Sequence, residues 1–137
     1  MRLALIAPLA AVIAGCAATP PAQSEQRIVD VTVTYRERIL LPPGHTLKVI
    51  LADVSLADAP SRTLAEATIE LEGRGPPYAV QLSTPAADLD PRHEYAVRAE
   101  IRDPAGALRF TTDTRHSVLT RSAPDRADIV LVGVSAP

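Results

Sequence analysis

The 137-residue chain has no tryptophan, one phenylalanine, three tyrosines, a single cysteine and a single lysine. Each scarcity removes a class of function. One thiol cannot close a disulfide within the chain, and a lone cysteine in a secreted protein calls for another role. Few aromatics, a formal net charge of −2 and basic residues scattered along the chain exclude a nucleic-acid face, which needs concentrated positive charge and commonly stacking rings. The lack of tryptophan counts against a sugar platform. Thirteen arginines beside the one lysine, Lys48, with abundant alanine and proline, read as the imprint of a GC-rich genome.

Long apolar runs are scarce too. The one run, Leu3 to Ile13 behind Arg2, falls short of the about 20 residues that a transmembrane helix needs. It has the parts of a secretory leader: a positive start, an apolar stretch and small residues before the cut. Ile13, Ala14 and Gly15 directly precede Cys16, the arrangement of a lipoprotein signal-peptidase motif. In bacterial lipoproteins the cysteine thiol takes a diacylglycerol, and the peptidase then needs small residues at the two preceding positions. Residues 1–15 are therefore predicted to be a cleaved lipoprotein signal peptide and Cys16 the lipidated residue, bearing palmitate-class chains that attach the protein to a membrane. Ala17 stands where an aspartate would retain a lipoprotein in the inner membrane. That favours the outer membrane, on its periplasmic face. Residues 16–26, rich in Ala, Pro, Ser and Gln, form a flexible tether with nothing to bury.

Residues 27–137 are expected to form one domain. Short segments of alternating character recur between Pro, Gly and Asp breaks, the pattern of an all-β fold. Val29, Val31, Val33 and Tyr35 alternate with Asp30, Thr32, Thr34 and Arg36. Leu47, Val49 and Leu51 repeat the period after Pro42-Pro43-Gly44, and residues 65–72 follow as a third strand despite fair helix propensity. Tyr78 to Leu82, Tyr95 to Ile101 and Leu108 to Thr112 supply three more. The last, Asp128 to Val134, is apolar on both faces and so central or covered. About seven strands with hairpin-length connections predict a single antiparallel two-sheet β-sandwich. The three tyrosines share phase with aliphatic neighbours, which assigns them to the core.

No chemical constellation emerges. His45, His93 and His116 lack metal-ligand spacing within one element, so no metal or cofactor is expected. Ser55, Ser61, Ser83, Ser117, Ser122 and Ser135 stand outside any nucleophile elbow. Asp88 and Asp90 precede a proline in a loop and shape a turn. Asp53 and Glu70 could serve as paired carboxylates only if the fold brought them within about 5–9 Å. Gly73-Arg74-Gly75 runs into Pro76-Pro77 instead of a helix and cannot cradle a phosphate. The chain is read as no enzyme.

Several phrases together resemble the YbaY-type lipoproteins, which share a domain with the type III secretion lipoprotein chaperone YscW. They are Val31-Thr32-Val33-Thr34-Tyr35-Arg36-Glu37-Arg38 with Leu41-Pro42-Pro43-Gly44, then Leu51 to Pro60, then Phe110 to Arg115 with Val118-Leu119-Thr120. The likeness spans residues 28–134. It implies a β-sandwich with a pilotin-like role: an acylated, non-enzymatic chaperone or binding module whose partner is an envelope protein such as a secretin. The alternative is a general outer-membrane lipoprotein that binds cell-wall or carbohydrate components.

Overall fold

A computed structural model describes residues 10–11, 15–16 and 25–135. Eight strands follow in order: β1 (Gln26–Tyr35), β2 (Thr46–Asp53), β3 (Arg62–Glu70), β4 (Tyr78–Pro85), β5 (Tyr95–Arg102), β6 (Leu108–Thr111), β7 (His116–Val118) and β8 (Arg126–Gly133). One 3₁₀ turn, Ala86–Asp88, lies in the connection from β4 to β5.

The period of two orders the interior as the sequence predicts. Val29, Val31, Val33 and Tyr35 point inward from β1, Leu47, Val49 and Leu51 from β2, Tyr78, Val80 and Leu82 from β4, and Tyr95, Val97, Ala99 and Ile101 from β5. All three tyrosines are core residues, and Tyr35 stacks on Phe110 with ring centroids 4.7 Å apart. Asp103-Pro104-Ala105-Gly106, with proline at the second turn position and glycine at the last, forms a turn in which the Gly106 amide donates to the Asp103 carbonyl at 2.9 Å. Gly44 is demanded twice over: its φ is +100°, and a Cβ there would sit 2.7 Å from Pro104 Cγ in the neighbouring turn.

The pairing corrects the expected sandwich. A single continuous sheet runs in the order β3-β2-β5-β6-β8-β1-β4, with β7 also on β5, and it coils into a nearly closed barrel. Two features make the difference. β1 and β8 pair in parallel over Asp30↔Arg126 to Tyr35↔Leu131, so the first and last strands are joined where a purely antiparallel sandwich would separate them. β6 then bridges to β8 through Phe110↔Gly133 and Thr111↔Val132. Strand-face alternation is common to sandwiches and barrels, so it left this choice open. The short β7 is an eighth strand that the sequence does not announce, because three residues show no period. β3 starts at Arg62 instead of residue 65, and the register shift opposite Leu51 and Ala52 marks a bulge in β3 at Leu64.

β8 is central, between β6 and β1. Its outer valines are nonetheless not covered among the described residues: Val130 and Val132 are each 37% exposed.

Candidate binding surface

The predicted N-terminal motif lies partly in view. Cys16 is exposed and unbridged and Gly15 has open space around it, while Ile13 and Ala14 fall outside the described residues.

The histidines stay apart. His45 is buried, its Nδ1 2.8 Å from the Pro42 carbonyl oxygen, and His116 pairs opposite Val97 on β5. Among the described residues no three His, Cys, Asp or Glu side chains gather as metal ligands. Asp53 pairs opposite Arg62 and Glu70 opposite Thr46, so the two carboxylates sit at opposite ends of the β2/β3 ladder. At about 3.3 Å per residue they are roughly 23 Å apart, far beyond a glycosidase pair.

His93 has a partner that no local pattern announced. Its Nδ1 lies 2.7 Å from Asp53 Oδ2, forty residues away, because the β2/β5 register sets Asp53 opposite Tyr95. Burial opposes ionisation of Asp53, but hydrogen bonds from Ser55 and His93 outweigh it and hold the carboxyl below its ordinary value. The nearby serine hydroxyls are engaged with Glu94: Ser55 Oγ accepts from the Glu94 amide at 2.7 Å, and Ser117 Oγ donates to Glu94 Oε1 at 2.8 Å. Asp90 is held down to about 2 by the Arg92 side chain and backbone, and its own amide donates to the Tyr95 hydroxyl at 2.8 Å. The whole group ties the β2–β3 and β4–β5 connections to β5. It is a clamp.

Gly73-Arg74-Gly75 makes the turn between β3 and β4. The Arg74 amide donates to the Leu71 carbonyl at 2.8 Å, and Tyr78 Oη donates to the Arg74 carbonyl at 2.8 Å. Burial, with Tyr35 close by, pushes the Tyr78 hydroxyl up.

Beyond that turn lies the join where the barrel fails to close. β3 and β4 are the two ends of the strand order; they approach each other near their shared turn, yet no ladder links them. Their edges differ in kind. β3 carries Arg62, Glu66 and Glu70, the charges that ordinarily protect an edge. β4 reads Tyr-Ala-Val-Gln-Leu-Ser-Thr-Pro, eight residues without charge, in unbroken register with β1 from Gln26↔Pro85 to Val33↔Tyr78. Its second edge presents backbone N–H and C=O groups that no strand takes among the described residues. The interior is also least covered here, since the inward row of β3, Ala65, Ala67 and Ile69, is only half-buried. An extended segment laid along β4 would complete the sheet and cover that row.

Further along β4, the fully buried Thr84 Oγ1 is the one buried side-chain polar atom without a hydrogen-bond partner among the described residues. On the outside, no aromatic face is available. Tyr35, Tyr78, Tyr95 and Phe110, which are all the aromatics of the chain, are buried.

Three comparisons bear on this surface. The family described as type III secretion system lipoprotein chaperone (YscW) matches residues 24–131. The uncharacterized lipoprotein YbaY of Escherichia coli (strain K12) is 38% identical over 117 residues, covering 85% of this chain. The chain spans 60% of the length of that relative. The structure of an alternative pilotin from the type II secretion system of Vibrio cholerae superposes with a TM-score of 0.78 at 35% identity, over 82% of this chain and all of the other.

Proposed function

Because this chain belongs to the YbaY/YscW family of lipoprotein chaperones, a pilotin type and not an enzyme type, we propose that it is a lipid-anchored chaperone of the bacterial envelope. It receives an extended segment of a partner along the free edge of β4. The observation that carries this reading is the uncharged, eight-residue β4 edge, unpartnered among the described residues, beside a half-covered apolar row. Main-chain hydrogen bonds supply affinity in such strand addition, and pockets for alternate side chains supply specificity. An outer-membrane protein such as a secretin fits the role of partner.

The anchor completes the proposal. Acylation at Cys16, after cleavage behind Ile13, Ala14 and Gly15, holds the domain to the outer membrane on its periplasmic face. Each buried methylene contributes about 0.8 kcal/mol and one myristoyl-length chain binds only marginally, so a two- or three-chain lipid is needed for stable attachment. No helix among the described residues is long and apolar enough to cross a membrane. A tether of about ten residues reaches roughly 35 Å, so partners are met close to the bilayer.

Carbohydrate or cell-wall binding is disfavoured by the buried aromatics, since sugar faces pack on exposed rings.

Capture from detergent-solubilised outer membranes tests the function. The wild-type protein is expected to retain an outer-membrane protein, and Ala79→Lys with Ser83→Lys on β4 to lose at least tenfold of it. Equal recovery by both would remove β4 as the site. For the anchor, Cys16→Ser is expected to shift the protein out of the membrane fraction; unchanged outer-membrane fractionation would refute lipidation.

A further inference from the structure

Away from the β3/β4 join, the outer face of the sheet has a depression whose make-up follows from the β2/β5 register. That register sets Lys48 opposite Glu100, Ile50 opposite Arg98 and Ala52 opposite Ala96. Long charged side chains therefore cover the outer face as far as Arg98 and stop there. The next pair is two methyl groups, and the surface drops. Val54 and Ser61 of the β2–β3 connection wall one side, and Asp113, Thr114 and Arg115 wall the other. The space holds about 260 Å³.

Two guanidiniums, Arg98 and Arg115, stand in its lining against a single carboxylate, Asp113. The acids that flank Arg98 on the sheet are already engaged: Glu66 lies 3.6 Å from Lys48 Nζ, and Glu100 lies 3.0 Å from Arg102 Nε. Arg98 is exposed and makes no ion pair or side-chain hydrogen bond among the described residues. Residues 113–115 form the stretch where the partner of β5 changes from β6 to β7. The Thr112 amide still donates to the Ala99 carbonyl, but the next three amides, those of Asp113, Thr114 and Arg115, find no acceptor among the described residues. Successive free amides beside a guanidinium are the elements of a carboxylate receptor. Arg115 adds a second cation, loosely held 3.4 Å from Glu94. The one opposing charge in the lining is Asp113, whose Oδ1 accepts from the Thr114 hydroxyl at 2.9 Å.

We propose that this depression binds a carboxylate carrying a small apolar group: Arg98 and the 113–115 amides hold the carboxylate, and Ala52, Ala96 and Val54 accept the apolar part. Two sources present that chemistry, a polypeptide chain end and an acidic side chain next to a small aliphatic residue. The site is independent of the β4 edge and stands or falls separately from the function proposed above.

Titration of the ¹⁵N-labelled full chain in zwitterionic detergent tests it, with four probes: N-acetylvaline, N-acetylvalinamide, N-acetyl-glutamyl-valinamide and acetate. N-acetylvaline is expected to shift the amides of Ala52, Ala96 and Thr114 in a saturable manner, and N-acetylvalinamide to bind at least tenfold more weakly. Equal binding by N-acetyl-glutamyl-valinamide assigns the site to acidic side chains of internal segments. Its failure beside success of N-acetylvaline assigns it to chain ends. The exposed Arg98→Gln should weaken N-acetylvaline at least tenfold with the rest of the spectrum unchanged, and Asp113→Asn should strengthen it severalfold. Three results overturn the proposal: no shift at these amides, equal shifts with acid and amide, or acetate as effective as N-acetylvaline, which would mark an adventitious ion only.

Discussion

Single residues carry three expectations. Thr84 buries a hydroxyl that finds no partner among the described residues, and an unsatisfied buried polar group costs about 1–3 kcal/mol. The near-isosteric Thr84→Val should therefore raise stability by about 1 kcal/mol in urea denaturation; a loss of stability would reveal a partner for the hydroxyl. Tyr35 is a core residue stacked on Phe110, so Tyr35→Ala should cost about 3 kcal/mol or more. A cost below about 1 kcal/mol would return Tyr35 to the surface. Acid acts through Asp53 and Asp90, both of whose folded-state pKa values are depressed. Groups so shifted stabilise the fold above their unfolded pKa of about 4 and lose that contribution as pH falls through the folded value. Stability should thus hold from neutrality to about pH 4 and decline toward pH 2, and Asp53→Asn with Asp90→Asn should flatten that decline. The tyrosines were legible in the sequence because alternation fixes facing. The bond between His93 and Asp53 was not, since it depends on strand register across forty residues.

Among the elements, β4 decides the account. Its alternation gave its inward row correctly, yet nothing local says that a strand lies at the end of the sheet order; that depends on which strand β1 takes on its other side. Placing Lys at positions 79 and 83 changes only outward, exposed side chains, so stability should move by no more than about 0.5 kcal/mol while partner capture falls. The β1–β2 turn gives a contrasting expectation. Gly44 combines φ +100° with a 2.7 Å approach to Pro104, so Gly44→Ala should destabilise by about 2 kcal/mol in thermal or urea unfolding. A neutral result would mean that the two turns separate freely. The proline of Leu41-Pro42-Pro43-Gly44 and the aspartate of Asp103-Pro104-Ala105-Gly106 announced turns at both places, but not that the turns touch.

At the scale of the whole molecule, the all-β class and the run of strands followed from composition and period, whereas closure did not. The parallel pairing of β1 with β8 converts a chain of hairpins into a nearly closed barrel, and among the described residues it leaves the join between β3 and β4 open. A lipid at Cys16 would keep that join within tether reach of the membrane, where an extended segment of an envelope partner could enter it. Site-specific photocrosslinking in intact cells tests this, with a photoreactive side chain at Ser83 on β4 and, as control, at Lys48 on β2, a strand paired on both sides. A discrete adduct with an outer-membrane protein is expected from position 83 and none from position 48. Adducts of equal yield from both positions, or none from position 83, would contradict it.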